Sequence, residues 1–380
     1  MECSYFDAGE CRSCQWLDQP YPQQVARLEQ ECHALLPQIP ASAWLSTMTG
    51  PEQGFRNKAK MVVSGSATAP TLGILDENWQ GVDLSACPLY SDSLRALFPV
   101  IANFLATLKI PPYEVESRNG EIKFIHVTEN ARGQHMLRFV LRSRRFVAAI
   151  RSSLPALQAL LPSLRVVSVN LLPQPVALTE GDTEIILTAD DVLPMPMGER
   201  VLYARPGGFF QTNTMVATEL YRQAQAWAEE VAPATVLDLF CGVGGFGLFL
   251  AKPGRRVHGI DISEEAIAAA KLAVLPEDGE VTFAAGDAPS LADEGAAALG
   301  GVPDLVVVNP PRRGITAEGC AWLEAKQPGT VIYSSCNPKS LAKDLEMLPN
   351  YRVKQIRIFD MFPHTSHVEV LAWLTRADTE

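Results

Sequence analysis

No stretch of this 380-residue chain is apolar for long enough to cross a membrane, and no basic, apolar leader opens it: Met1-Glu2-Cys3-Ser4 is polar and acidic. A soluble, cytoplasmic protein is therefore expected. Cysteine is sparse: eight in 380 residues cannot make a disulfide scaffold, and in a reducing compartment thiols turn to metal or catalytic roles. Positive charge is in deficit, and a net charge of −11 excludes broad electrostatic wrapping of nucleic acid. Repeats and low-complexity tracts are absent too, which excludes solenoids and long disordered arms.

What is present is a core-forming composition, 47% hydrophobic, over a length that suits two or three domains. The charge is unevenly spread. Residues 101–160 hold nine Lys and Arg against four Asp and Glu, whereas residues 230–300 hold four against eleven. A basic middle permits a localised RNA surface.

The chain divides into three stretches. Residues 1–50 bear cysteines and prolines around one helical pattern, near Tyr21–Leu36. Residues 51–200 alternate β-like runs (60–64, 123–128, 136–141, 166–172 and 183–187) with short helical patterns, an α+β reading. From about residue 205 strands and helices alternate strictly, which predicts a parallel, doubly wound sheet. Its last two strands, 353–359 and 368–374, are joined too closely for a crossover and should form an antiparallel edge pair.

Three motifs fall at the carboxyl ends of those strands, where such sheets bind ligands. Asp238-Leu-Phe-Cys-Gly-Val-Gly-Gly-Phe-Gly247 leaves the first strand and opens a helix; its glycines admit a ligand to the backbone. Asp261 ends the next strand, placed to accept hydrogen bonds from ribose hydroxyls. Asn309-Pro-Pro-Arg-Arg-Gly314 is a stiffened turn that aims Asn309 and the arginines at the cleft. Ser334-Ser-Cys336-Asn-Pro338 delivers a thiol just before a helix, where the dipole and nearby Arg are expected to lower its pKa and make it a nucleophile. In Phe359-Asp-Met-Phe-Pro-His-Thr-Ser-His-Val-Glu369, His364 and His367 lack a third metal ligand, so the turn reads better as placing Glu369 for general-base work. Cys241, Cys32 and Cys320 read as packing.

The glycine loop resembles motif I of S-adenosylmethionine-dependent methyltransferases. Taken in order, D-L-F-C-G-V-G-G, N-P-P-R-R-G, S-S-C-N-P and F-P-H-T-x-H-V-E resemble the RNA uracil-C5 methyltransferase family, in particular its bacterial ribosomal members. That resemblance runs from Phe209-Phe-Gln-Thr-Asn213 to the C-terminus, and E-Q-G-F-R-N-K-A-K at residues 52–60 extends it. It implies a Rossmann-like class I methyltransferase domain (residues 201–380), a central α+β RNA-binding domain (51–200) and an N-terminal iron–sulfur segment (1–50). Some members carry an N-terminal RNA-binding β-barrel (TRAM); with the Cys pattern beginning at residue 3, none is expected here.

By the same resemblance the chain methylates C5 of a specific uracil in 23S ribosomal RNA. Cys336 attacks uracil C6, C5 takes the methyl group, and Glu369 removes the C5 proton. Gln211, Phe240, Asp261 and Asn309 are then cofactor contacts, with Gly242, Gly244 and Asp287 added from loop position. Thr212 or Asn213 also suits the cap of the helix that follows. Transfer-RNA uracil or RNA cytosine methylation, and a non-catalytic RNA-binding assembly factor, are the alternatives. No membrane and no obligate protein partner are implied, and a monomer is expected.

Cys3-x7-Cys11-x2-Cys14, with Cys87-Pro88 far downstream, gives three near thiolates and one remote. This spacing suits a cubane better than zinc, which favours two close pairs, and the family resemblance implies a [4Fe-4S] cluster on these residues. A zinc site and four unrelated thiols stay open. Arg56, Lys58 and Lys60, then Arg138, Arg142, Arg144, Arg145 and Arg151, are candidate phosphate contacts, with Arg312 beside the site.

Overall fold

The computed structural model describes residues 1–377 and separates into two compact units. The first comprises Met1–Cys14, Pro51–Pro196 and Ala204–Gly208; the second comprises Gln15–Gly50, Met197–Tyr203 and Phe209 onward. The expected break at residue 50 thus has a second beside it, at residue 14, so that residues 15–50 leave the N-terminal segment and join the second unit. After the one-turn helix α1 (Ser4–Asp7), the chain leaves the first unit and forms α2 (Tyr21–Leu35), which belongs to the second. The reason is apolar packing. Trp16, Leu28, Cys32, Leu36, Ile39 and Ala43 share one core with Leu341, Leu348, Ile356 and Ile358.

The first unit is built on β1 (Lys58–Ser66), β2 (Ala69–Leu75), β3 (Gly81–Asp83), β4 (Ile122–Glu129), β5 (His135–Leu141), β6 (Leu164–Leu171) and β7 (Thr183–Ile186). Spatially they run β3-β2-β1-β4-β5-β6-β7, antiparallel except for β5–β6. Two helices cover one face: α3 (Asp92–Thr107), capped by Ser91, and α4 (Val147–Leu160), the crossover between the parallel pair. Period-two alternation sends Met61, Ile125, Val127, Leu137, Phe139, Val167 and Val169 into the core they share with Phe98, Ile101, Leu105 and Leu157. Both helices are longer than the sequence pattern predicts, because each continues through an internal proline, Pro99 and Pro155.

A short hairpin, β8 (Leu193–Met197) and β9 (Arg200–Ala204), precedes the second unit's main body. There α5 (Thr214–Val231), β10 (Thr235–Leu239), α6 (Gly245–Leu250), β11 (Arg256–Asp261), α7 (Glu264–Leu272), β12 (Glu280–Ala285), α8 (Ala292–Ala298), β13 (Leu305–Val308), α9 (Thr316–Lys326), β14 (Thr330–Ser335) and α10 (Pro338–Glu346) alternate as expected. The final strands are β15 (Tyr351–Phe359) and β16 (Glu369–Arg376). The order is β12-β11-β10-β13-β14-β16-β15; β16 slots between β14 and β15, antiparallel to both. Residues 44–48 continue beyond the β15 edge, where Leu45 N donates to Ile356 O and Met48 N to Ile358 O, each at 2.8 Å.

Candidate active site

The carboxyl ends of β10, β11, β13 and β14 carry the motif residues side by side. Phe240 leaves β10 at φ 61°, a left-handed conformation costly for a β-carbon-bearing residue, and Gly242 follows at φ 54°. A Cβ on Gly242 would meet nothing within 4 Å, so the loop is open to a ligand there, whereas one on Gly244 would press on Phe283 at 2.9 Å. Asp238 is fully buried, and its Oδ2 accepts from Gly247 N at 2.8 Å. Burial pushes its pKa up to about 7 against that hydrogen bond, with Asp261 adding to the rise. Asp261 accepts from Gly242 N and Ser263 N, both at 2.9 Å, which ties the second strand end to the glycine loop. Beside it Ile262 is 75% exposed, an apolar face that motif reading missed.

Asn309 is half-buried, and its N–H donates to Leu239 O at 3.2 Å. Asp287 is exposed and accepts from Ser290 N and Oγ ahead of α8. Of the Phe209-Phe-Gln-Thr-Asn213 stretch, Phe209 is exposed and Phe210 and Gln211 are buried. Asn213 caps α5 by accepting from Val216 N, and its amide donates to Met361 O at 3.3 Å. Thr212 does not cap; its buried hydroxyl finds no partner among the described residues.

Cys336 follows β14 and precedes the cap of α10, Asn337, whose amide donates to Arg312 O at 2.9 Å. The two loops are thereby joined. Cys336, Arg312, Asn337, Ser366 and His367 line a cavity of about 480 Å³ whose other wall is Leu28, Glu31, Cys32 and Leu35 of α2. No motif or spacing points to that wall. Arg312 Nη2 donates to His367 Nδ1 at 2.9 Å. The Cys336 thiol corrects one expectation: its pKa is raised, not lowered. Burial is the largest cause and the Glu369 charge the second; Arg312 opposes both without winning.

Glu369, at the head of β16, is 4% exposed, and burial pushes its pKa up to about 7 against a hydrogen bond from Ser334. Ser334 Oγ donates to Oε1 at 2.5 Å. Nearby, Asp344 on α10 accepts from Ile315 N at 2.9 Å and Tyr333 OH at 2.6 Å and so pins the Asn309–Gly314 turn from beneath. Only cross-strand geometry reveals Ser334 and Asp344 as parts of the site. His364 is buried at φ 70° with Nδ1 3.2 Å from Gln24 Oε1, a packing role.

In the first unit Cys3, Cys11, Cys14 and Cys87 lie within electrostatic reach of one another. Burial raises the Cys14 thiol to about 12, followed by the charges of Cys87, Cys11 and Cys3, with Arg56 opposing. Tyr5 OH accepts from Ala86 N at 3.2 Å, which brings the α1 segment against the Cys87 turn. Among the described residues no three His, Cys, Asp or Glu gather closely enough for a single metal ion. A cubane spaces its thiolates more widely than one ion does, and the all-thiol donor set suits it.

Of the basic candidates, Arg138 is corrected. It is 3% exposed and paired with Glu180 and Glu184, its Nε donating to Glu184 Oε2 at 2.9 Å, so it has no free face for phosphate. Lys58 is half-buried, donates to Gly208 O at 3.3 Å, and has its pKa lowered to about 8, chiefly by burial. Lys60 is exposed and 3.7 Å from Glu180; Arg142 reaches Glu121 at 3.4 Å. Arg144, Arg145 and Arg151 are exposed, as is Arg312, while Arg56 is half-buried with Nε donating to Lys58 O.

The doubly wound sheet and its glycine loop define the class, an S-adenosylmethionine-dependent methyltransferase. Residues 236–308 match the "Methyltransferase domain" family and residues 302–377 the "tRNA (Uracil-5-)-methyltransferase" family. The "23S rRNA (uracil(747)-C(5))-methyltransferase RlmC" of Serratia proteamaculans is 48% identical over 378 residues, spanning 99% of this chain and 100% of the relative. Its counterpart in Escherichia coli O139:H28 is 46% identical, with 99% and 100% covered. Among solved structures, the Pyrococcus abyssi tRNA (uracil-54, C5)-methyltransferase in complex with S-adenosyl-L-homocysteine superposes with a TM-score of 0.79 at 25% identity, covering 95% of this chain and 85% of its own. The chain belongs to the RNA uracil-C5 methyltransferase family. No helix among the described residues is long and apolar enough to cross a membrane.

Proposed function

We propose that this protein methylates C5 of uracil 747 in 23S ribosomal RNA, as the names of its full-length relatives describe for them. The observation that carries the mechanism is the pairing of a half-buried thiol with a buried carboxylate. The thiol feels the carboxylate's charge at the active edge of the sheet, and burial poises the carboxylate at about 7. Uracil C5 is too weak a nucleophile to take a methyl group unaided. Addition of the Cys336 sulfur to C6 places an electron pair on C5, activating it. Arg312 stabilises the thiolate before attack. Glu369, ionised above about pH 7, then takes the C5 proton; the C–H pair becomes the C5–C6 double bond, and sulfur departs with the C6–S pair.

S-adenosylmethionine, when bound, supplies the electrophilic sulfonium methyl group. Gly242 gives it backbone access while Gly244 lets the loop pack on Phe283, Asp261 meets its ribose, Ile262 offers an apolar face to its base, and Gln211, Phe240, Asn309 and Asp287 complete the set. The target uracil has to leave its stack to reach Cys336, so a flipped nucleotide is part of the reading. Lys60, Arg142, Arg144 and Arg145 are the exposed or half-exposed cations assigned to phosphate in the first unit, with Arg56 and Lys58; Arg312 is assigned to it in the second. Cys3, Cys11, Cys14 and Cys87 are assigned to a [4Fe-4S] cluster, which would cross-link the first 14 residues to the Cys87 turn.

The test uses a 23S ribosomal RNA fragment carrying 5-fluorouridine at position 747, where fluorine blocks proton removal and traps the adduct. The intact protein with S-adenosylmethionine should form a denaturant-stable protein–RNA species, and Cys336→Ala should form none. An adduct on the variant would remove Cys336 from the chemistry. Adduct formation with a transfer RNA fragment in preference to the ribosomal one would move the substrate to the class of the Pyrococcus relative.

A further inference from the structure

We infer that Ser334 is a positioning residue for the reaction, holding Glu369 in the orientation and charge state that proton removal requires. This rests on the role proposed for Glu369. Ser334 is wholly buried on β14, and its hydroxyl donates to Glu369 Oε1 at 2.5 Å, the carboxylate's hydrogen-bond donor among the described residues. The two strands are paired antiparallel, Ser334 opposite Leu371 and Ser335 opposite Val370, so the contact is set by sheet register and not by a mobile loop. Phe359 faces Glu369 from β15. The titratable groups around the carboxylate are Cys336 at the end of β14 and Tyr221 on α5, both of which sense its charge.

A donor to one carboxylate oxygen does two things. It stabilises the ionised form, opposing a burial cost that would otherwise keep the acid protonated at neutral pH. It also fixes the carboxylate's orientation through Oε1. In the step itself the C5 proton moves to Glu369, the C5–H electron pair forms the C5–C6 double bond, and the C6–S pair returns to Cys336. Ser334 keeps its proton throughout and touches neither substrate nor methyl donor.

The measurement is the rate at which the methylated covalent intermediate resolves to product, in rapid-quench single turnovers across pH with the intact protein and an unmodified 23S fragment. Ser334→Ala should move the acid limb of that profile up by about one pH unit, so that resolution is about tenfold slower near pH 6 and converges on the parent rate near pH 9. Ser334→Thr, which keeps the hydroxyl, should restore the parent limb, and Ser334→Cys, a weaker donor of similar size, should fall between them. A limb that does not move, or a loss equal at every pH, would overturn the inference. Glu369→Gln separates the two layers. If it stalls as adduct while Ser334→Ala keeps the parent profile, the positioning role alone fails. If it resolves at the parent rate, the Glu369 reading fails and the positioning role with it.

Discussion

Arg312 is the residue on which the thiol's reactivity turns. Its guanidinium is the charged group that opposes the burial and the Glu369 charge raising the Cys336 pKa, and His367 Nδ1 anchors it at 2.9 Å. His367 is suited to accept, because burial and Arg312 itself lower its pKa and keep the ring neutral. Removing the cation in Arg312→Gln should raise the thiol further and shrink the thiolate fraction at any pH below the new value. Peptide-resolved alkylation of Cys336 by iodoacetamide should then slow about three- to tenfold near pH 8 and converge with the parent at high pH. An unchanged rate near pH 8 would show that Arg312 does not govern the thiolate. Sequence reading marked Cys336 and Glu369 for chemistry, because each sits in a motif at a strand end, and took Arg312 for a phosphate contact beside them. It missed the direction of the thiol's shift, since burial and a carboxylate that is 33 residues away in the chain, but adjacent across β14 and β16, are tertiary facts.

At the scale of elements, the turn from β13 into α9 shows how a motif glycine is enforced by its support. Gly314 holds φ 87°, and a Cβ there would lie 2.3 Å from Asp344 Oδ2, the same oxygen that accepts from Ile315 N and Tyr333 OH. Gly254, at φ 81°, has nothing within 4 Å of its Cβ position. Gly254→Ala should therefore cost only the left-handed backbone, about 1 kcal/mol. Gly314→Ala should cost about 2–4 kcal/mol and displace Arg312 from Cys336, which slows adduct formation as well as lowering the melting temperature. Calorimetry of the two variants side by side checks this; equal losses would mean that Asp344 yields freely. Strand–helix alternation after residue 205 was readable because the parallel strands are short, β-branched or apolar-rich segments between helical patterns, and β10, β11, β13 and β14 run into motifs. The helices α3 and α4 were underestimated because Pro99 and Pro155 look like breakers. Strands β2 and β3 were not read at all, being short and interrupted by Pro70, Gly73 and Gly81.

At the scale of the whole chain, sequence neighbourhood and structural neighbourhood part company at residue 14. Residues 15–50 have an apolar core to join, whereas α1 buries none of its residues and has little beyond Tyr5 OH and the terminal amine, 3.2 Å from Glu52, to hold it. Hydrophobic burial is thus not what orders α1. The thiols Cys3, Cys11 and Cys14 beside Cys87 offer a further means, and the proposed cluster, bonded to all four, would supply a cross-link. Chelating the iron from protein purified without oxygen should release this segment. Trypsin should then cut after Arg12, whose side chain in the ordered segment donates to Phe6 O at 2.8 Å, at least tenfold faster than in the iron-loaded form. Cys87→Ser should behave like the chelated protein, because it removes the one ligand that lies outside the segment. Equal cleavage rates with and without iron would show that the first 14 residues are held by something other than the cluster, and the absence of iron from freshly purified protein would remove the cluster itself.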